Sequence, residues 1–245
     1  VQTYEDTNGG PGLTEGQQYF YEVRAYNATG QYSSVEANIT ISSTIIQFQD
    51  DFAGTTLDSA KWNFANPDST YMDMAQNGNY KIQPKSGSGS AGLTMGHNNI
   101  NSKVEADVGS GVHVFGFDLR TELPSSANPP FYAGIIKGDP ATAITNAIFF
   151  IRGNATEAAY NMWDTGKVNT QDTYTLDTSV TQTFKIVANN GSLSLHHWNG
   201  SSWDLMTDFG SGFTGNYRFF STGVEGDSRY WHELDNTYIT NQDYS

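Results

Sequence analysis

The feature that most constrains this chain is a side-chain alternation of period two. In the run 19–26, Tyr19, Tyr21, Val23 and Ala25 fall on one face while Phe20, Glu22, Arg24 and Tyr26 fall on the other, which is the pattern of a β-strand. Runs of strand length recur between turn signals along the rest of the sequence, and no segment shows a convincing helical period. An all-β fold follows, in which each sheet must bury one face against another layer. At 245 residues the chain is long enough for one large or two modest domains with a sizeable core.

Charge narrows the partners. Twelve Lys and Arg stand against 26 Asp and Glu, a formal net charge of -14, which opposes binding to a phosphate backbone and excludes nucleic acid as an expected partner. The chain has no cysteine, so it can form neither a disulfide framework nor a thiolate site. No apolar run approaches the roughly 20 residues of a membrane span, and the amino terminus lacks the order of a signal peptide. Charged residues make up only 16%, against about 25% in an average soluble domain, while Asn, Ser, Thr, Gly and Tyr are plentiful. That bias suits an extracellular or cell-surface β-protein. Sequons at Asn27, Asn38, Asn154, Asn190 and Asn199 permit glycosylation but are about as frequent as this composition gives by chance.

The first 43 residues carry YEDT, the spacing of Leu13 and Tyr19, the run YFYEVRAYN and the turn ATGQYSS. Together these resemble the last strands of a fibronectin type III sandwich, with Leu13 and Tyr19 at a tyrosine-corner spacing. A partial sandwich leaves one sheet face in water, so the expectation is a chain cut from a longer one, or completed by self-association through residues 1–43. After a junction at 44–46, IQFQDDFAGTTLDSAKWNF opens a second unit. Its DDF, LD and KW, followed by NYKIQP, KVEADVG, HVFGFDLRTEL, AIFFIRG, SLSLHHWNGSSWDLM and YWHELDNTYI, resemble the concanavalin A-like (laminin-G-like) jelly rolls of secreted multidomain proteins. The resemblance implies an antiparallel sandwich over 47–245. SGSGSAG at 86–92 and the proline-bearing stretch through Pro124, Pro129 and Pro130 read as surface loops.

Family 16 glycosidases share the fold that this resemblance implies and set paired carboxylates on one strand. Residues i and i+2 share a face, so Glu105 with Asp107, or Glu233 with Asp235, offers a pair. The hydrolase pattern needs a further acid two or three residues on. Val108, Gly109 and Ser110 follow the first pair and Asn236, Thr237 and Tyr238 the second, so the full set is absent and the chain is expected not to be an enzyme. The resemblance also implies calcium where the first and last strands meet, with Asp50, Asp51 and Asp235 at the matching places and carbonyls, Asn236 or water completing the six to eight oxygens needed. Adjacent His196 and His197 point to opposite faces, and no G-x-S-x-G elbow is present.

Sugar recognition needs an aromatic face with hydroxyl partners nearby. By resemblance Trp62, Trp198 and Trp203 are packing residues, which leaves Trp163 and the pair Phe131 and Tyr132, near expected rims, as the ligand-binding candidates. The sequence thus points to a non-catalytic module for glycan binding or adhesion. The alternatives are a filament or surface-layer subunit completed by strand donation, and a glycosidase using acids not recognised in the pattern.

Overall fold

The structure, a computed structural model, describes residues 18–26, 29–30, 32–40, 46–65, 72–84, 99–122, 132–138, 146–154, 157–164, 171–174, 180–222 and 231–241. Every regular element among them is a strand. The chain divides into two compact units, Val1–Ile45 and Ile46–Ser245.

In the first unit, β1 (Gln18–Tyr26) and β2 (Tyr32–Thr40) pair antiparallel in one unbroken register, from Gln18 opposite Thr40 to Tyr26 opposite Tyr32. Gly30, at φ 78, supplies the left-handed backbone that the turn between them requires. Two strands do not show a fibronectin type III sandwich, and Leu13 of the expected corner lies outside the described residues, as does the loop 86–92 of the second unit.

The second unit is a sandwich of two antiparallel eight-stranded sheets. Sheet I runs β16 (Trp203–Gly210), β15 (Ser192–Trp198), β14 (Gln182–Asn189), β9 (Val112–Glu122), β18 (Trp231–Thr240), β6 (Tyr80–Pro84) and β5 (Met72–Gln76), with β3 (Ile46–Asp50) also on β18. Sheet II runs β13 (Gln171–Tyr174), β12 (Glu157–Asp164), β11 (Asn146–Asn154), β10 (Tyr132–Lys137), β17 (Asn216–Thr222), β7 (Asn99–Ser102) and β4 (Trp62–Ala65), with β8 (Ala106–Asp107) on β17.

The period-two pattern decides which side chains meet between the sheets. In β9, Phe115, Phe117 and Leu119 are buried in the core, so Gly116, Asp118 and Arg120 face outward. Phe117 meets Phe219 of β17 across the sandwich at 5.3 Å between ring centroids. Burying one such ring contributes about 1.5–3 kcal/mol, with up to about 1.5 kcal/mol more from the edge contact.

At the seam of the first and last strands, Asp50 stands opposite Thr237. The Asp50 carboxylate is buried and accepts hydrogen bonds from the Phe52 amide at 2.9 Å and the Trp62 indole Nε1 at 2.6 Å. Phe52 sits at φ 50, a left-handed conformation that costs an L-residue about 1–2 kcal/mol. Its fully buried ring, stacked 5.4 Å from Trp62, offsets that cost.

Candidate active site

The outer face of sheet I holds the polar chemistry, and cross-strand register assembles it. Asp118 of β9 lies directly opposite Asp235 of β18 and directly opposite Thr183 of β14. Directly opposed residues place their Cβ atoms about 5 Å apart, so two carboxyl groups face outward side by side near the middle of the sheet.

Their environments differ. Asp118 accepts hydrogen bonds on both oxygens, from Thr183 Oγ1 at 2.6 Å and Asn236 Nδ2 at 2.8 Å. Asn236 reaches it because the strand bulges after Asp235, with Asn236 at φ 45, a conformation Asn tolerates better than most residues. Asp235 accepts one hydrogen bond, from the Asn236 amide at 2.8 Å. Burial raises the pKa of Asp235, and the charges of Asp118, Asp51 and Asp50 push the same way, against the lowering effect of that amide. One acid is thus biased toward its protonated form beside a second whose oxygens both act as acceptors, which is the division of labour between a general acid and its partner carboxylate.

The same face carries an aromatic platform two strands away. In β15, Leu193, Leu195 and His197 point into the core and Ser194, His196 and Trp198 point out. Trp198 is 37% exposed and lies 5.4 Å from Trp203 across the hairpin. Asn199 stiffens the connecting turn, accepting from the Ser201 and Ser202 amides at 2.9 Å and donating to Asp204 at 2.9 Å. Lys185 places its ammonium 4.5 Å from the centre of the Trp203 ring, a cation–π contact that fixes the ring. Two strand spacings, roughly 10 Å, separate this platform from Asp118, and Asp235 lies one strand further on. Beside them, Glu233 stands opposite Arg120 and Lys81.

The residues read from the sequence fall as follows. Glu233 and Asp235 share the outer face of sheet I, but the partner of Asp235 is Asp118, which no spacing along one strand reveals. Glu105 forms an ion pair with Arg218, and Asp107 braces a loop by accepting from the Gly109 and Gly215 amides at 3.0 and 3.2 Å. Both carboxyl groups are thus engaged with the protein itself. Trp62 is core, as expected. Trp198 is at the surface, against the expectation of packing, and the alternation of SLSLHHW was the signal for it. Trp163 lies in β12 opposite Ala147, and Tyr132 in β10 opposite Thr222, both in sheet II; Phe131 lies outside the described residues.

Asp50, Asp51 and Asp235 come close enough to interact electrostatically, yet they do not fit a calcium site as they stand. Both Asp50 oxygens are committed to Phe52 and Trp62, Asp51 Oδ1 accepts from the Ala53 amide at 3.1 Å, and no group of three His, Asp or Glu side chains suited to a metal occurs among the described residues.

No protein-family profile matches the sequence, and no curated protein does. Solved structures of similar shape do exist. An alginate lyase, A1-II', described as a member of polysaccharide lyase family 7, superposes with a TM-score of 0.50 at 13% identity, over 75% of this chain and 96% of its own. LamAcat from Zobellia galactanivorans matches at 0.54 and 11% identity, over 79% and 96%. The GH43 protein BlXynB from Bacillus licheniformis matches at 0.57 and 12% identity, over 89% of this chain but only 46% of that one. These likenesses are of fold. They confirm the jelly roll, and they overturn the expectation of a non-catalytic module in a chain that is not an enzyme. The same sandwich, matched over nearly its full length, is the one on which the alginate lyase is built, so the absence of the family 16 acids no longer argues for attachment alone.

Proposed function

We infer that the second unit is a polysaccharide-cleaving enzyme whose active site is the outer face of sheet I. The observation that carries this reading is the cross-strand pair Asp118 and Asp235 on the same face as the exposed Trp198. In this reading a sugar ring stacks on Trp198 and the chain crosses Thr183 toward the carboxylates. Asp235 protonates the glycosidic oxygen as its bond to the anomeric carbon breaks and the leaving chain departs. Asp118 attacks that carbon or stabilises its oxocarbenium centre, and a water deprotonated by Asp235 then completes the hydrolysis. Their directly opposed strand positions, with Cβ atoms about 5 Å apart, favour the retaining course over the inverting one, whose carboxyl groups stand about 6.5–9.5 Å apart. Polysaccharide as the partner and an extracellular place of action belong to the same reading. No helix among the described residues is long and apolar enough to cross a membrane.

The test is digestion of a polysaccharide panel, neutral and uronate-bearing, read both as new reducing ends and as the ultraviolet absorbance of unsaturated products. Hydrolysis gives the first signal without the second. Asp118→Asn and Asp235→Asn should each lower the rate by about a hundredfold or more, and activity should fall as pH rises through the elevated pKa of Asp235. Cleavage at the parental rate by both variants would sink the assignment, and unsaturated products would replace hydrolysis by elimination.

A further inference from the structure

The two sheets do not close against each other at every edge. Between β4, the edge of sheet II, and β5, the edge of sheet I, lies an open groove of about 710 Å³, within the range of about 300–1,000 Å³ typical of small-molecule sites. Trp62, Tyr80, Leu57 and Met74 give it an apolar floor, while Thr55, Thr56, Ser59 and Gln76 supply hydroxyls and an amide.

Three observations define what would fill it. Phe64, at the mouth, leaves 53% of its surface in solvent, although the other phenylalanines of the second unit whose burial is described are buried. Gln76 is only 9% exposed, yet its Oε1 has no hydrogen-bond partner, and its amide nitrogen reaches the Ala53 carbonyl only at 3.5 Å. A buried acceptor left in that state destabilises the fold, and a ligand donor would relieve it. The lining holds one ionised side chain, Lys103, which donates to the Ser59 carbonyl at 2.6 Å and is turned to that loop. The site therefore offers an aromatic face, an unmet acceptor and hydroxyls with a single cation, in a chain whose net charge of -14 opposes an anionic ligand.

We propose that this groove binds a short neutral oligosaccharide, with the apolar face of one ring on Phe64 and a ring hydroxyl donating to Gln76 Oε1. It lies at the open edge of the sandwich, away from the outer face that carries Asp118, and serves to hold a polymer chain rather than to cut it. It deepens the polysaccharide reading by naming a neutral chain as the ligand, and it stands or falls separately from catalysis.

The experiment is isothermal titration of the full chain, in an Asp118→Asn background that leaves the groove intact, with neutral gluco- and xylo-oligosaccharides and with uronate oligosaccharides of equal length. Neutral ligands should bind and uronates should bind at least about tenfold more weakly. Phe64→Ala should weaken neutral binding about fivefold to tenfold, and Gln76→Met, which keeps the volume and removes the acceptor, by a similar factor. Carrying Trp198→Ala throughout removes the platform of the proposed active site, so that the affinity read is that of the groove. Absence of neutral binding, equal affinity for uronates, or parental affinity in both groove variants would overturn the proposal, whatever the Asp118 variants do to cleavage.

Discussion

His232 makes stability depend on pH in a way that can be calculated and isolated. It lies in β18 on the core side, 2% exposed, with Nε2 3.0 Å from Ser221 Oγ of the facing sheet. Complete burial pushes its pKa down to about 3 from 6.5, because an imidazolium in that place would lose its hydration. The folded protein therefore stays unprotonated at this site while the unfolded chain takes up a proton below about pH 6.5. The contribution of His232 is fully present above that value and is lost as pH falls toward 3, with a slope of about 1.4 kcal/mol per pH unit. Between pH 6.5 and 4.5 the loss is about 2 kcal/mol, a substantial share of the 5–15 kcal/mol typical of a domain. Asp235, whose pKa is raised, acts in the opposite sense in the acid range, so the effect must be read as a difference. Urea unfolding of the parent and of His232→Gln across pH 4.5–7.5 provides it. The variant should lack this slope, so that its stability relative to the parent rises by about 2 kcal/mol between pH 6.5 and 4.5. Parallel curves would refute the claim that His232 is held neutral by burial.

The seam and the outer face give two further expectations. Trp62→Phe removes the indole donor from a buried carboxylate and should cost about 3 kcal/mol in urea unfolding; a loss below about 1 kcal/mol would show that the bond to Asp50 contributes little. In Gly116→Ala, the new Cβ would fall within the ring of Tyr238, which lies across Gly116 on the outer face. That substitution should destabilise by about 1–3 kcal/mol, and most of the loss should disappear in a Tyr238→Ala background; additive losses in the double variant would place the strain elsewhere.

The sequence by itself determined the class of fold. Alternation told which residues of β9 and β15 face the core, because a pleated strand sends successive side chains to opposite sides whatever its neighbours are, whereas the bulge after Asp235 shifts the phase of β18. The burial of Phe115, Phe117 and Leu119 beside outward Asp118 was legible in HVFGFDLRTEL, and the exposure of Trp198 was legible in SLSLHHW, though family analogy pointed the other way. What only the tertiary structure decided was adjacency. Asp118 and Asp235 are 117 positions apart in sequence (235 less 118), and nothing local fixes which strand lies beside which, since any antiparallel neighbour with a matching apolar face satisfies the same pattern. Register turned scattered carboxylates into a pair, consumed Asp50 and Asp107 as structural acceptors, and left a groove where two edge strands fail to meet. These are long-range consequences of sheet order, and sheet order is settled by the packing of the whole core at once.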